Sequence, residues 1–389
     1  MIDSIEFPAS LDQQKVEGLL KQRFPDKRVR IYKIIPMALD NSSSILVTLT
    51  AASGEDRIGH FRYIIGYELE GEFLSADLVI KVKPHGAAIA AMLEGLAAAN
   101  GPELGNAYKT ASAYTGFSYS HEKELFIDEC QKANDIFPEI WGISRDEDAG
   151  LFYIMMEYLG EADLINSVMI PEKWTDGPVR QALKSAASWH ARSMDLLKQD
   201  NFPHWKDERY YGSREELIPL YRALWQNAES KLTDLLDPEE YQLILKELEK
   251  AGTLKDIYSG YPKAIIHNDM NPRNCCFPQR ENRKDFVLYD WELFNIHMPA
   301  YDAVEFLAFV LDEDRYAQRE HYLNYYLDCL QDETGVHVLL EDRKDLFRAL
   351  HLDFCYLRIG MYLMAHCLSP YPFLPRVVRS AMDGIRCFS

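Results

Sequence analysis

The sequence predicts an α+β protein of two lobes, a small β-rich lobe followed by a larger, mainly helical one. Three observations carry that reading. At 389 residues the chain is too long for one small core. Strand-like runs crowd its N-terminal quarter. After Gly160 helical periodicity takes over, broken once by a short β-like island from Ala264 to Asp290. Strands first and helices afterwards is the α+β plan. The hinge is expected at Glu157–Gly160, giving an N-terminal lobe over 1–158 and a C-terminal lobe over 159–389.

Each element has its own signal. Leu11 to Arg23 reads as a short helix. Val29 to Met37 reads as a strand, Asn41 to Ser44 as a polar turn, and Ile45 to Thr50, with alternating branched residues, as the returning strand. Phe61 to Leu69 and Leu78 to Lys83 follow as strands. Ala87 to Ala99 is an Ala-rich helix ended by Asn100-Gly101-Pro102, and His121 to Ala133 is a second helix. Leu151 to Glu157 is apolar without alternation, so it should be buried on both faces. Val179 to Lys198, Arg214 to Leu235 and Pro238 to Ala251 have helical periodicity, and helix resumes from Asp302.

Composition excludes several classes. Hydrophobic residues are 47% and charged residues 26%, a globular balance rather than that of a disordered, collagenous or coiled-coil chain. The net charge of −19 disfavours nucleic acid and anionic membrane as partners, keeps the protein soluble, and would attract a cationic small molecule. Seven cysteines without a C-x-x-C spacing argue against disulfides and zinc and for a reducing compartment. Met1 to Ser10 lacks a basic region followed by an apolar run, and no apolar run reaches about 18 residues, so a cytoplasmic protein is expected.

The chemistry concentrates in the island. An apolar strand, Ala264 to Ile266, runs into His267-Asn268-Asp269, and Asn274 follows five residues after Asp269. A second strand, Phe286 to Tyr289, delivers Asp290, then Trp291 and Glu292. Two strand ends thus present an Asp, an Asn and another Asp. Phosphoryl transfer needs such a set, one carboxylate to orient an acceptor hydroxyl and take its proton, the other with an amide oxygen to hold Mg²⁺.

His267-Asn268-Asp269-Met270-Asn271-Pro272-Arg273-Asn274 followed by Tyr289-Asp290-Trp291-Glu292 resembles the aminoglycoside phosphotransferase and choline kinase family. The resemblance implies a bilobal protein-kinase-like fold, Asp269 as base, Asn274 and Asp290 as Mg²⁺ ligands, and His267 as a structural residue of the catalytic loop. Asn268 stands where that family usually has Gly, which should alter the loop. Asp290-Trp291-Glu292 in place of Asp-Phe-Gly, with no Ala-Pro-Glu after it, favours a small-molecule kinase over a protein kinase. Lys81 resembles the lysine that holds the nucleotide phosphates, and Lys83, on the same strand face, is its rival. Glu122 resembles the helix carboxylate that orients this lysine, with Glu124 and Glu129 as alternatives. About 84–119 reads as an inserted helix and loop. The turn Asp40 to Ser44, without glycine, would cover the phosphates through Ser43 and Ser44, and Glu157 to Leu159 would meet the adenine. His190 reads as a packed core histidine, Asp302 as a brace of the catalytic loop, and Asp302 with Glu305 as a capping box.

The expected activity is transfer of the γ-phosphoryl group of ATP or GTP, with Mg²⁺, to a hydroxyl of a metabolite or antibiotic-like acceptor. Trp291, Phe294, Tyr301 and Asp312-Glu313-Asp314 are expected at the acceptor's walls. The rivals are a catalytically silent nucleotide-binding scaffold and, more remotely, a protein kinase.

Overall fold

The computed structural model describes residues 11–39, 58–126, 136–198, 215–280 and 283–389. The expected strand Ile45 to Thr50, the turn with Ser43 and Ser44, Glu129 and the second half of the His121 helix lie outside them.

Five strands form one antiparallel sheet in the order β1-β2-β3-β5-β4, with β1 Val29–Met37, β2 Gly59–Leu69, β3 Glu72–Pro84, β4 Ile140–Asp146 and β5 Leu151–Glu157. Among the described residues β1 pairs with β2. The β2–β3 hairpin turns at Glu70 and Gly71, which take φ 52° and 92°, as a two-residue turn demands. Helix α1, Gln13–Arg23, packs on the outer sheet face. Alternation does the sorting on β3: Leu78, Ile80 and Val82 enter that outer core, and Val79, Lys81 and Lys83 line the cleft on the other side. Leu151 to Met155 are all buried, as the unbroken apolar run of β5 requires.

The chain then leaves the sheet. Helices α2, Gly86–Asn100, and α3, Pro102–Ala111, occupy the stretch read as an insertion, and α4, Ser120–Leu125, follows. The insertion packs on the helices rather than on the sheet. Leu104, Tyr108 and Ala111 join the large core with α6, Ile218–Lys231. Asn100 Nδ2 donates to the Met364 carbonyl at 3.0 Å, and Lys231 Nζ to the Asn100 carbonyl. Gly86 starts α2 so close to Ser118 that a Cβ would lie 2.3 Å from the Ser118 carbonyl oxygen.

The helical part comprises α5 Asp176–Leu196, α6, α7 Pro238–Glu247, α8 Leu254–Ser259, α9 Ala300–Val310, α10 Arg319–Thr334, α11 Leu340–Phe354, α12 Gly360–His366 and α13 Leu374–Cys387. A π-helical turn, Cys355–Ile359, joins α11 to α12. Short strands build the island between α8 and α9: β6 Ala264–Ile266 pairs with Asn295–His297, and Cys275–Cys276 with Val287–Leu288. Cys275 and Cys276 are buried. No helix among the described residues is long and apolar enough to cross a membrane.

Candidate active site

The loop after β6 is held from below by α9. Asp302 Oδ2 accepts from the His267 amide at 2.6 Å, and its Oδ1 from the Asn268 amide at 2.9 Å. His190 Nε2 donates to the same carboxylate at 3.1 Å, which leaves Nδ1 to accept from Tyr326 OH at 2.7 Å. Asp302 therefore braces the loop, and His190 is a buried structural histidine. The expected capping box is absent. Pro299 occupies the N-cap of α9, and Glu305 instead accepts from the Met270 amide at 3.1 Å, because the loop amides need these carboxylates more than the helix end does. Asn268 takes φ 59°, the left-handed conformation that Gly adopts freely and Asn tolerates, so replacing Gly leaves the turn possible. His267 bonds the Tyr289 carbonyl through Nε2 at 3.0 Å and packs against Trp291.

This frame presents Asp269. Its Oδ1 accepts from Asn271 Nδ2 at 2.9 Å, from Tyr362 OH at 2.8 Å and from the Arg358 guanidinium, and its Oδ2 from Asn274 Nδ2 at 2.9 Å. Burial alone would raise this carboxyl, but Arg358, Arg273 and His267 turn the balance and lower it. Asn274 also donates to the Asp269 carbonyl, so both contacts use its amide nitrogen and leave its oxygen for another partner.

Opposite lies a buried charge cluster. Lys81 Nζ stands 2.5 Å from Glu124 Oε1 and 2.5 Å from Asp290 Oδ1. Lys83 Nζ stands 3.3 Å from Asp290 Oδ1 and 3.5 Å from Glu124 Oε2, and it pairs with Glu292. Lys81 and Lys83 thus both reach Asp290. Burial would raise the Asp290 carboxyl, but the two ammonium groups hold it well below its usual range. Burial pushes Glu292 up to about 7, with Lys83 opposing and Asp290 adding. Glu122, expected to orient the lysine, does not do so. It sits half-buried near His121, whereas Glu124 is buried against Lys81 and Lys83. Two residues along a helix turn a side chain to nearly the opposite face, so only one of the two can face the cleft.

Lys81, Lys83, Asp269, Asn274 and Asp290 line one cleft of about 500 Å³. Glu157 and Leu159 line its far wall. The Glu157 amide donates to the Glu139 carbonyl, and the Tyr158 amide to the Asp77 carbonyl. His60, paired across from Lys81 on β2, closes the roof and is held down to about 3 by burial and by Lys81. The other wall is apolar: Ile89, Met92, Leu93 and Leu96 from α2 face Met361 and Met364 from the α12 helix. Trp291, Phe294 and Tyr301, expected at the acceptor's walls, are buried in the core instead, and Asp312 to Asp314 lie outside the cleft, with Asp312 bonded to Arg315. The aromatic bulk of Trp291, Phe294 and Tyr301 serves packing in the large core.

The sequence profile of the ecdysteroid kinase-like family matches residues 113–336, more than half of the chain. The chain belongs to that family. This ecdysteroid kinase-like chain also resembles solved small-molecule kinases. A Plasmodium vivax ethanolamine kinase aligns at 10% identity and a TM-score of 0.48, over 92% of this chain and 83% of that one. The GDP and kanamycin complex of APH(2")-IIia aligns at 14% and 0.45, over 97% of each. A microcompartment-associated aminopropanol kinase aligns at 12% and 0.42, over 96% and 95%. No curated protein matches the sequence.

Sequence reading missed Arg358, Tyr362 and the α2 wall. One signal was present. Arg358 is a lone charge between Leu357 and Ile359 in an otherwise apolar helical stretch, and a charge buried in such a stretch needs a partner.

Proposed function

We propose that this protein transfers the γ-phosphoryl group of ATP or GTP to a hydroxyl of a small, largely apolar acceptor in the cytoplasm. The observation that carries this reading is the single cleft that joins the Lys81–Glu124–Asp290 cluster, Asp269 and an apolar wall. Lys81, oriented by Glu124, holds the nucleotide phosphates, and the Glu157–Leu159 segment meets the base. The residues present fit a hard cation: Asn274 keeps its amide oxygen available, and ligand oxygens of Asp290, Glu292 and Glu124 lie within 4.8 Å of one another. When bound by Asn274 and Asp290, Mg²⁺ supplies positive charge against the phosphate oxygens. Asp269 orients the acceptor hydroxyl and takes its proton as the new bond forms.

Apart from Asp269, the acceptor wall carries methionine and branched aliphatic side chains, while the cleft's other carboxylates, Glu157, Asp290 and Glu292, lie at the phosphate and hinge ends. That lining supports an apolar hydroxylated compound, as the family's ecdysteroid name suggests, over the cationic acceptor that the net charge would attract. Retention of Lys81, Glu124, Asp269, Asn274 and Asp290 together supports turnover rather than a silent scaffold. The test is a coupled assay with Mg·ATP or Mg·GTP and a panel of ecdysteroids, ethanolamine and kanamycin. Ecdysteroid turnover should exceed that of the cationic acceptors. Asp269→Asn should lower kcat by about two to four orders of magnitude with nucleotide affinity little changed. Nucleotide binding without turnover of any acceptor would favour the scaffold.

A further inference from the structure

Five residues around Asp269 form a network that none of the nucleotide-holding roles above requires. Arg358 donates to Asp269 Oδ1 and stands 3.7 Å from Glu305 Oε1 behind it. Tyr362, one turn further on, donates to the same oxygen and accepts from Arg273 at 2.6 Å. Arg273 Nε in turn reaches Asn271 Oδ1 at 3.2 Å, and Asn271 Nδ2 returns to Asp269. Arg358 is 7% exposed and Glu305 is fully buried, so this is an internal construction rather than a surface pair.

The two oxygens of Asp269 are used unequally. Oδ1 accepts three donors, and Oδ2 accepts one among the described residues. A carboxylate oxygen has about two lone-pair sites, so Oδ1 is saturated and Oδ2 keeps room for one more donor. The π-helical turn Cys355–Ile359 supplies a second, independent observation. Such turns interrupt α-helices frequently at functional sites. This one carries Arg358, and the α12 helix that follows it carries both Tyr362 and the apolar cleft residues Met361 and Met364.

We infer that Arg358 and Tyr362 are positioning residues that occupy Oδ1 of Asp269 and so aim Oδ2 at the acceptor hydroxyl. This inference rests on the kinase reading above. In the step it serves, the acceptor oxygen bonds to the γ-phosphorus, the bond from that phosphorus to the β–γ bridging oxygen breaks, and the nucleoside diphosphate leaves with that electron pair. The hydroxyl proton passes to Oδ2. Arg358 makes no bond to either reactant. Its contribution is to stop the Asp269 carboxylate from rotating, because Arg358 is itself buried and confined beside Glu305, 3.7 Å away.

The experiment uses the full chain with Mg·ATP, with water as the phosphoryl acceptor. Wild-type protein should bind Mg·ATP and hydrolyse it slowly. Arg358→Ala should lower kcat about 10- to 100-fold with KM for Mg·ATP within about twofold, since a small misplacement of a reacting group costs rate rather than nucleotide binding. Millimolar guanidinium should restore part of that loss, and Arg358→Lys should lie between. Tyr362→Phe should lower kcat less than Arg358→Ala. If Arg358→Ala does not fold, Arg358→Lys and Tyr362→Phe carry the test, and normal kcat in both overturns the inference. A folded Arg358→Ala with normal kcat, with only KM altered, or without guanidinium rescue, also overturns it while leaving the kinase reading intact. A wild-type chain that neither binds nor hydrolyses Mg·ATP defeats the kinase reading and this inference with it.

Discussion

Asn268 and Asp290 both adopt left-handed backbone, at φ 59° and 67°, at the two ends of the charged site. For an ordinary side chain that conformation costs about 1–2 kcal/mol. Asn268→Ala should therefore lose roughly that much stability, while Asn268→Gly should lose less, giving up only the bond from Asn268 Nδ2 to the Leu293 carbonyl. Urea unfolding of the two variants measures the difference, and equal losses would mean that the side-chain bond, not the backbone, decides. The carboxylate on α4 offers a second residue-scale check. Glu124→Gln should cut Mg·ATP turnover by about tenfold or more, because Lys81 loses the partner that aims it. Glu122→Gln, from the half-buried face, should stay within about twofold. Steady-state kinetics on both distinguishes them, and the reverse ranking would restore Glu122. Asp269, Asn274 and Asp290 were legible as a motif because chemistry fixes their spacing at two strand ends, whereas Lys81 was read from a separate strand with Lys83 left as its rival. Arg358 and Tyr362 were not legible, since they approach Asp269 from about ninety residues away, and only packing brings them there.

At the scale of the element, α2 depends on one close approach. A Cβ on Gly86 would lie 2.3 Å from the Ser118 carbonyl oxygen, and backbone cannot yield as a flexible side chain can. Gly86→Ala should destabilise the protein by about 1–3 kcal/mol, as overpacking does, and raise KM for the acceptor more than KM for the nucleotide, because α2 lines the cleft wall proposed for the acceptor. Melting curves beside the two KM values check this, and an unchanged acceptor KM would separate α2 from the acceptor. The helix itself was visible in its alanine-rich run, and so was its length. What the sequence could not convey was its side of the cleft. Ile89, Met92, Leu93 and Leu96 follow helical spacing, and that pattern marks a buried face without naming what it is buried against. β4 was missed for a related reason: Ile140 to Asp146 is short, contains Gly142, and ends in a run of charge, so it lacks a strong strand pattern. Gly142 is nonetheless required there, since a Cβ would fall 2.2 Å from the Leu19 carbonyl of α1.

For the whole molecule, buried histidines set one direction of pH dependence. His351, wedged against Gly384, is held down to about 3, by burial first and by Arg319 as well. An unfolded histidine titrates near 6.5. Above that pH both forms carry it neutral. As pH falls below it, the unfolded chain takes up a proton that the folded chain refuses, so stability declines across the window from about 6.5 to about 3. His60 adds in the same direction. The melting temperature should fall between pH 7 and pH 5, and a folded His351→Asn variant should fall less steeply. An equal slope in the variant would assign the dependence to other groups. The sheet ends with β5 at Glu157, yet the chain between β3 and α4 takes a different partner. Chain from Pro84 runs out of the sheet, buries Leu104, Tyr108 and Ala111 among the helices, and returns to present Glu124 to Lys81. The two halves are thus laced together by three passes of backbone rather than one. A single proteolytic nick between Tyr158 and Gly160 should leave them associated, and a fragment ending at Tyr158 would expose the insertion's apolar face and aggregate.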